Sequence, residues 1–164
     1  GGPLEPGGSW QKAAALFYEE LMPCVQLAEE LGVSLLIEPE PELLVETFEQ
    51  YLEIAGRVDS PALGLNFDIG HAYCVGQPPE QWVARLAEHT RHYHVEDIAA
   101  TRWHAHLIPG QGAIDLPAVF REIVRSDYQG WVTVELYPYI DDPDTAGRQA
   151  KRYLDGLIGA NSGE

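Results

Sequence analysis

Lysine is nearly missing from this 164-residue chain, with Lys12 and Lys151 its only two copies. Ten basic residues stand against 26 acidic ones, a formal charge of −16. So acidic a chain repels phosphate backbones and anionic membrane surfaces, and it has no clustered basic face; neither a nucleic acid nor a membrane is an expected partner. Cysteine is scarce too: Cys24 and Cys74 stand alone, without framework spacing, which suits a reducing cytoplasm better than an oxidising compartment. No apolar run approaches the roughly 18–20 residues that cross a bilayer. The opening GGPLEPGG has neither the basic segment nor the apolar core of a signal peptide. Gly-x-Gly-x-x-Gly and Walker loops are absent, which disfavours nucleotide cofactors, and no serine sits in a nucleophile elbow.

What is present is a pattern of four apolar runs, each ending in a residue that binds divalent metals: Ser34–Glu38 (SLLIE), Leu63–Asp68 (LGLNFD), Arg91–His94 (RHYH) and Trp131–Glu135 (WVTVE). The terminal residues are 30, 26 and 41 positions apart, close to the roughly 30 residues of a βαβ unit. Side chains at the C-terminal ends of adjacent parallel strands converge on one crevice, where α/β proteins place their chemistry. Three carboxylates and one imidazole there suit Mn²⁺, Mg²⁺, Co²⁺ or Zn²⁺ better than a metal that prefers sulfur.

The segments between the runs read as helices. Ser9 precedes a helix over about 10–31 whose apolar positions recur every three to four residues, with Pro23 expected to kink or break it and Gly32 to end it. Further helices are expected over about 43–58, 79–88, 115–126 with Asp115 as its cap, and 143–157. Residues 97–114, with Pro109, Gly110 and Gly112, read as a long loop at the functional face. The order α-βα-βα-βα-βα calls for a parallel sheet covered by helices in one domain over 1–160, with a tail at 161–164. A closed (β/α)₈ TIM barrel needs at least about 200 residues, so four strands make half of one. An open half exposes two strand edges, and the chain begins at Gly1 without Met. The expectation is the C-terminal half of a larger barrel lacking its N-terminal half, or a homodimer in which a second chain closes the barrel.

Around the four terminal residues stand further candidates. Glu40 competes with Glu38, because two residues on along a strand point the same way. His71 follows Asp68 by three and can touch metal or substrate. His92 and His94 share a strand face, and Asp97 can hold the His94 imidazole or contact substrate. His104 and His106, in RWHAHLIPGQG, suit metal binding or a lid, and Arg102 beside them can meet a phosphate or carboxylate.

The ordered series IEPE, FDIGHA, HYHVED, HAHLIPGQGAID and VELY resembles the C-terminal half of the xylose isomerase-like TIM barrels, and the likeness runs over about residues 1–159. It implies one divalent ion, Mn²⁺ first among the candidates, held by Glu38, Asp68, His94 and Glu135. It further implies that Glu38 and Glu135 exchange a substrate proton and that His71, with Asp97, Arg102, His104 and His106, surrounds a sugar or sugar phosphate. The reaction implied is isomerisation or epimerisation through a metal-stabilised enediolate. HLIPGQGAID is similar to the HLLPGEGDID of sugar phosphate isomerase/epimerase-like proteins, with Gln111 in place of the acid. Two alternatives remain. One is an endonuclease IV-like zinc hydrolase, whose ligands overlay Glu38, Asp68, His71, His94, His106 and Glu135 while His104 stands at an aspartate position. The other is a non-catalytic metal-binding half-barrel fragment.

Overall fold

The computed structural model describes residues 2–161, the side chains of 160 and 161 excepted. Four strands form one parallel sheet in chain order, β1 (Leu35–Ile37), β2 (Leu63–Asp68), β3 (Thr90–Val95) and β4 (Val132–Val134). The sheet is not closed: among the described residues, β1 and β4 each pair on one side only. This is the expected four-stranded half of a TIM barrel. All but Asn161 of the expected tail lies outside the described residues.

Six helices flank or follow the strands: α1 (Trp10–Leu31), α2 (Phe48–Val58), α3 (Ile69–Cys74), α4 (Pro79–Trp82), α5 (Leu116–Arg125) and α6 (Pro143–Asn161). The α1 helix runs through Pro23 without a break and ends on Gly32 in the left-handed region, so the break expected there does not occur. The start of α2 falls at Phe48 rather than near residue 43. A reciprocal capping box fixes it, with Thr47 Oγ1 accepting the Gln50 N–H and Gln50 Oε1 accepting the Thr47 N–H. The single helix expected over 79–88 is instead the four-residue α4 followed by a 3₁₀ turn at Ala84–Leu86. The α3 helix was not anticipated. Asp68 creates it by ending β2 and accepting the His71 N–H at 2.6 Å, as an N-cap does.

Strand alternation sorts the side chains. Leu65, Phe67, Tyr93 and Val95 are fully buried under the helices, where Phe67 lies 4.5 Å from the Phe48 ring and 5.1 Å from that of Tyr93. The other face carries Asn66, Asp68, His92 and His94, paired as Asn66 with His92 and Asp68 with His94. That register depends on an irregularity in β3. Leu65 pairs with Thr90 but Asn66 with His92, which leaves Arg91 as one extra residue. Gly64 makes room for it, since a Cβ there would stand 2.6 Å from Arg91 Cγ, and the Tyr128 hydroxyl reaches the Arg91 carbonyl at 3.0 Å.

Candidate active site

Each of the four strands delivers one polar side chain to the C-terminal end of the sheet. Glu38 follows β1, Asp68 ends β2, His94 is next to last in β3 and Glu135 follows β4. They meet around the His94 imidazole, whose Nδ1 lies 2.9 Å from Glu38 Oε1, 3.3 Å from Glu135 Oε2 and 3.9 Å from Asp68 Oδ2. One ligand atom from each of the four falls within 4.8 Å of all the others.

The electrostatics of this cluster are those of a site that lacks a positive charge. Burial raises Asp68 to about 7, with the charges of Glu38 and Glu135 adding to the effect. Its Oδ1 caps α3, but its buried Oδ2 has no hydrogen-bond partner. Burial also works to raise Glu38, but the hydrogen bond and charge of His94 prevail and hold it below the usual carboxylate range. His94 moves the opposite way, raised by the Glu38 hydrogen bond against its own burial. Three carboxylates with one orphaned oxygen, gathered on one imidazole, fit a divalent cation that prefers oxygen donors.

A second cluster adjoins the first. His71, His104 and His106 bring one ring nitrogen each within 4.8 Å of the others. His71 donates its Nδ1–H to the Pro39 carbonyl and His106 its own to the Glu135 carbonyl, both at 3.1 Å. Each Nε2 is thereby left as an acceptor, and the His106 Nε2 lies 3.1 Å from that of His104. Burial, then the nearby His104, lowers His71 to about 4, so it stays neutral. Together with Glu38, Glu40, Glu135 and Tyr137 these histidines line a crevice of about 220 Å³. Tyr137 packs its ring 4.6 Å from that of His106.

Two residues expected at the substrate lie elsewhere. Asp97 is 1% exposed, and its oxygens accept the backbone N–H groups of Ile98, Gly110 and Ile114, so it braces the loop and does not face the crevice. Arg102 turns away at a positive φ of 60°. Its guanidinium sits over the Tyr73 ring at 5.1 Å, in a separate cleft with Gln77 and Asp115. Gln111, at the position of the usual acid, bonds Gln149 on the surface.

Sequence reasoning missed Asn66, whose amide nitrogen lies 3.3 and 3.4 Å from the two His94 ring nitrogens. It also missed Glu96, a fully buried carboxyl beside Asp68, raised by burial and by the Asp68 charge. The signal was available, since Asn66 precedes Asp68 by two and Glu96 follows His94 by two, the period of a strand face. The glycine of FDIGHA is explained by the same carboxyl, because a Cβ at Gly70 would overlap it.

The chain is similar to several known proteins. An inosose dehydratase of Geobacillus kaustophilus is 27% identical over 150 residues, covering 80% of this chain and 49% of that protein. A fructoselysine 3-epimerase of Escherichia coli O157:H7 is 30% identical over 157 residues, covering 93% and 55%. The chain thus spans about half the length of the curated relatives it matches, and these include both an epimerase and a dehydratase. The structure of an IOLI protein with a bound zinc atom superposes with a TM-score of 0.82 at 25% identity, over 97% of this chain and 61% of that one. A D-tagatose 3-epimerase-like protein gives 0.74 at 29%, over 87% and 55%. Among the described residues no helix is long and apolar enough to cross a membrane. Residues 2–157 match the family described as xylose isomerase-like TIM barrel, and with the parallel half-barrel and the acids and histidine at its strand ends in view, the chain belongs to that family.

Proposed function

We propose that this chain carries the metal and proton-transfer site of a divalent-metal-dependent sugar isomerase or epimerase. The observation that carries the reading is the meeting of Glu38, Asp68 and Glu135 on His94 with an unpartnered Asp68 oxygen. Those four residues would hold the cation, with Mn²⁺ preferred over Mg²⁺, Co²⁺ or Zn²⁺ because the carboxylates suit a hard ion and the imidazole suits a transition metal. When bound, it supplies a Lewis acid for a substrate carbonyl and the hydroxyl beside it.

The remaining steps belong to the side chains. Glu38 and Glu135 follow the two outer strands and both line the crevice. One removes the proton next to the carbonyl and the other returns it, to the same carbon from the opposite face or to its neighbour. Neutral His71, its Nδ1–H committed to Pro39, presents Nε2 to accept a hydrogen bond from a substrate hydroxyl. Dehydration shares the first step, so the sequence of events after proton removal sets the product. Relatives that act on fructoselysine and on inosose make polyhydroxylated ketones, free or phosphorylated, the first substrates to screen.

One observation favours a second reading. The cluster of His71, His104 and His106 has the donors for further zinc ions, as a hydrolase of the endonuclease IV type requires. Metal content per chain, measured on protein purified without chelator or affinity nickel, separates the two. About one Mn, Mg, Co or Zn per chain, lost in Glu135→Gln, supports the isomerase or epimerase. Solvent deuterium entering a ketose beside its carbonyl then identifies the substrate. Two or three zincs per chain support the hydrolase instead, and no metal after reconstitution rejects both.

A further inference from the structure

The loop that carries His104 and His106 has no regular structure over most of its length, yet it must place two imidazoles against a third on α3. Its geometry is set at its base. The Asp97 carboxylate accepts the N–H groups of Ile98 at 2.9 Å and Ile114 at 3.1 Å on Oδ1, and that of Gly110 at 3.0 Å on Oδ2. The Asp97 backbone adds a two-way bridge, with its N–H to the Leu107 carbonyl at 2.9 Å and the Leu107 N–H to its own carbonyl at 2.7 Å. Ala113 N–H closes on the Ile98 carbonyl at 2.8 Å. One buried residue therefore ties 98, 107, 110 and 114 together, and His106 is the immediate neighbour of a tied position.

The PGQG segment is shaped to this carboxylate. Gly112 packs on it so closely that a Cβ would overlap Asp97 Oδ1. Gly110 takes a φ of 90°, where a Cβ would also stand 2.6 Å from the Tyr153 ring of α6. A carboxylate accepting several amides is a strong, directional brace. Remote positioning groups of this kind matter because misplacement of about 1 Å costs catalysis heavily.

We propose that Asp97 is a positioning residue: its carboxylate folds the loop 98–114 so that His104 and His106 stand against His71 and complete the substrate side of the crevice. Its effect on turnover rests on the proposed function above, but the placement of the rings does not, and the test reads the rings.

The full chain, labelled with ¹⁵N-histidine, reports each ring N–H by NMR. His106 Nδ1–H is sheltered by Glu135 and His71 Nδ1–H by Pro39, so both should exchange slowly with water. In Asp97→Asn the Gly110 N–H loses its acceptor. The expected result is His106 ring exchange at least about tenfold faster, the scale of one lost charge-assisted hydrogen bond, with His71 exchange and Mn²⁺ affinity unchanged. Gly112→Ala, which leaves the carboxylate in place but pushes the loop off it, should do the same and keeps the test open if Asp97→Asn does not fold. His106 exchange unchanged in both variants overturns the proposal. So does an equal acceleration at His71, which would mean general loosening.

Discussion

Asp68 has the most conflicted position of any residue in the site, a carboxyl without solvent whose outer oxygen has no partner. Its folded-state pKa lies near 7 against 3.8 for an ordinary aspartate, so without metal the folded chain holds a proton that the unfolded chain has released. The Asp68 contribution to stability should therefore fall as pH rises from about 4 to about 7. Asp68→Asn, which removes that titration, should make the slope of stability against pH more positive in metal-free thermal melts, and a wild-type slope equal to the variant's would count against the burial argument. Added Mn²⁺ should reverse the sign, since a cation favours the ionised form. His71 acts over the same range with the opposite sign: its pKa is lowered to about 4 from 6.5, so its neutral form supports the fold above pH 6.5 and that support is lost as pH falls toward 4. The residues that meet at the site were legible where an apolar run gave way to an acid or a histidine, as with Glu38, Asp68, His94 and Glu135, which the fold brings together. Asp97 was misread because an acid after a strand looks the same whether it faces a ligand or a loop's amides.

At the scale of elements, long apolar periods were readable and local capping was not. The extent of α1 and the starts of α5 and α6 follow from pattern and cap. The α2 helix starts five residues later than its apolar pattern suggests, because Thr47 and Gln50 supply a reciprocal cap there. Thr47→Ala should accordingly cost about 0.5–2 kcal/mol, read as a lower midpoint in urea with the slope unchanged. Phe67→Ala, beneath the site, should cost more, about 3–5 kcal/mol, since Phe67 is fully buried between Phe48 and Tyr93. If the two losses were equal, the core ring stack would not be the main support of β2. The α3 helix escaped notice because six residues carry too little period to stand out, and only the Asp68 cap announces it.

The whole molecule is a sheet with two edges. Beside β1 lies an apolar groove of about 320 Å³, lined among others by Phe17, Leu21, Leu36 and Val45. At the other end Trp131 and Ile140 are more than four-fifths exposed. Unpaired strand edges flanked by apolar surface recruit a partner. The expected behaviour of this chain in sedimentation is a mass above the monomer that rises with concentration. Leu36→Lys, which puts a charge on the β1 edge, should shift it toward the monomer. A monomer at every concentration, with no difference in the variant, would show that the groove closes by itself. That half of a barrel is present could be read from four strand-and-helix units in 164 residues; what covers the edges could not, since the same apolar residues serve a second copy and a missing half alike.

The extra residue in β3 has a consequence for how this family can change. Were Arg91 paired like its neighbours instead of bulged out, the register begun at Leu65 and Thr90 would run on unbroken, and Asp68 would stand beside Tyr93 in place of His94. Smoothing the strand while keeping its length would thus present a phenol where an imidazole now meets the three acids, and would turn His94 in among the aromatic rings beneath the helices. What any change in β3 has to preserve is the kink at Arg91, together with the bare Gly64 that leaves space for it.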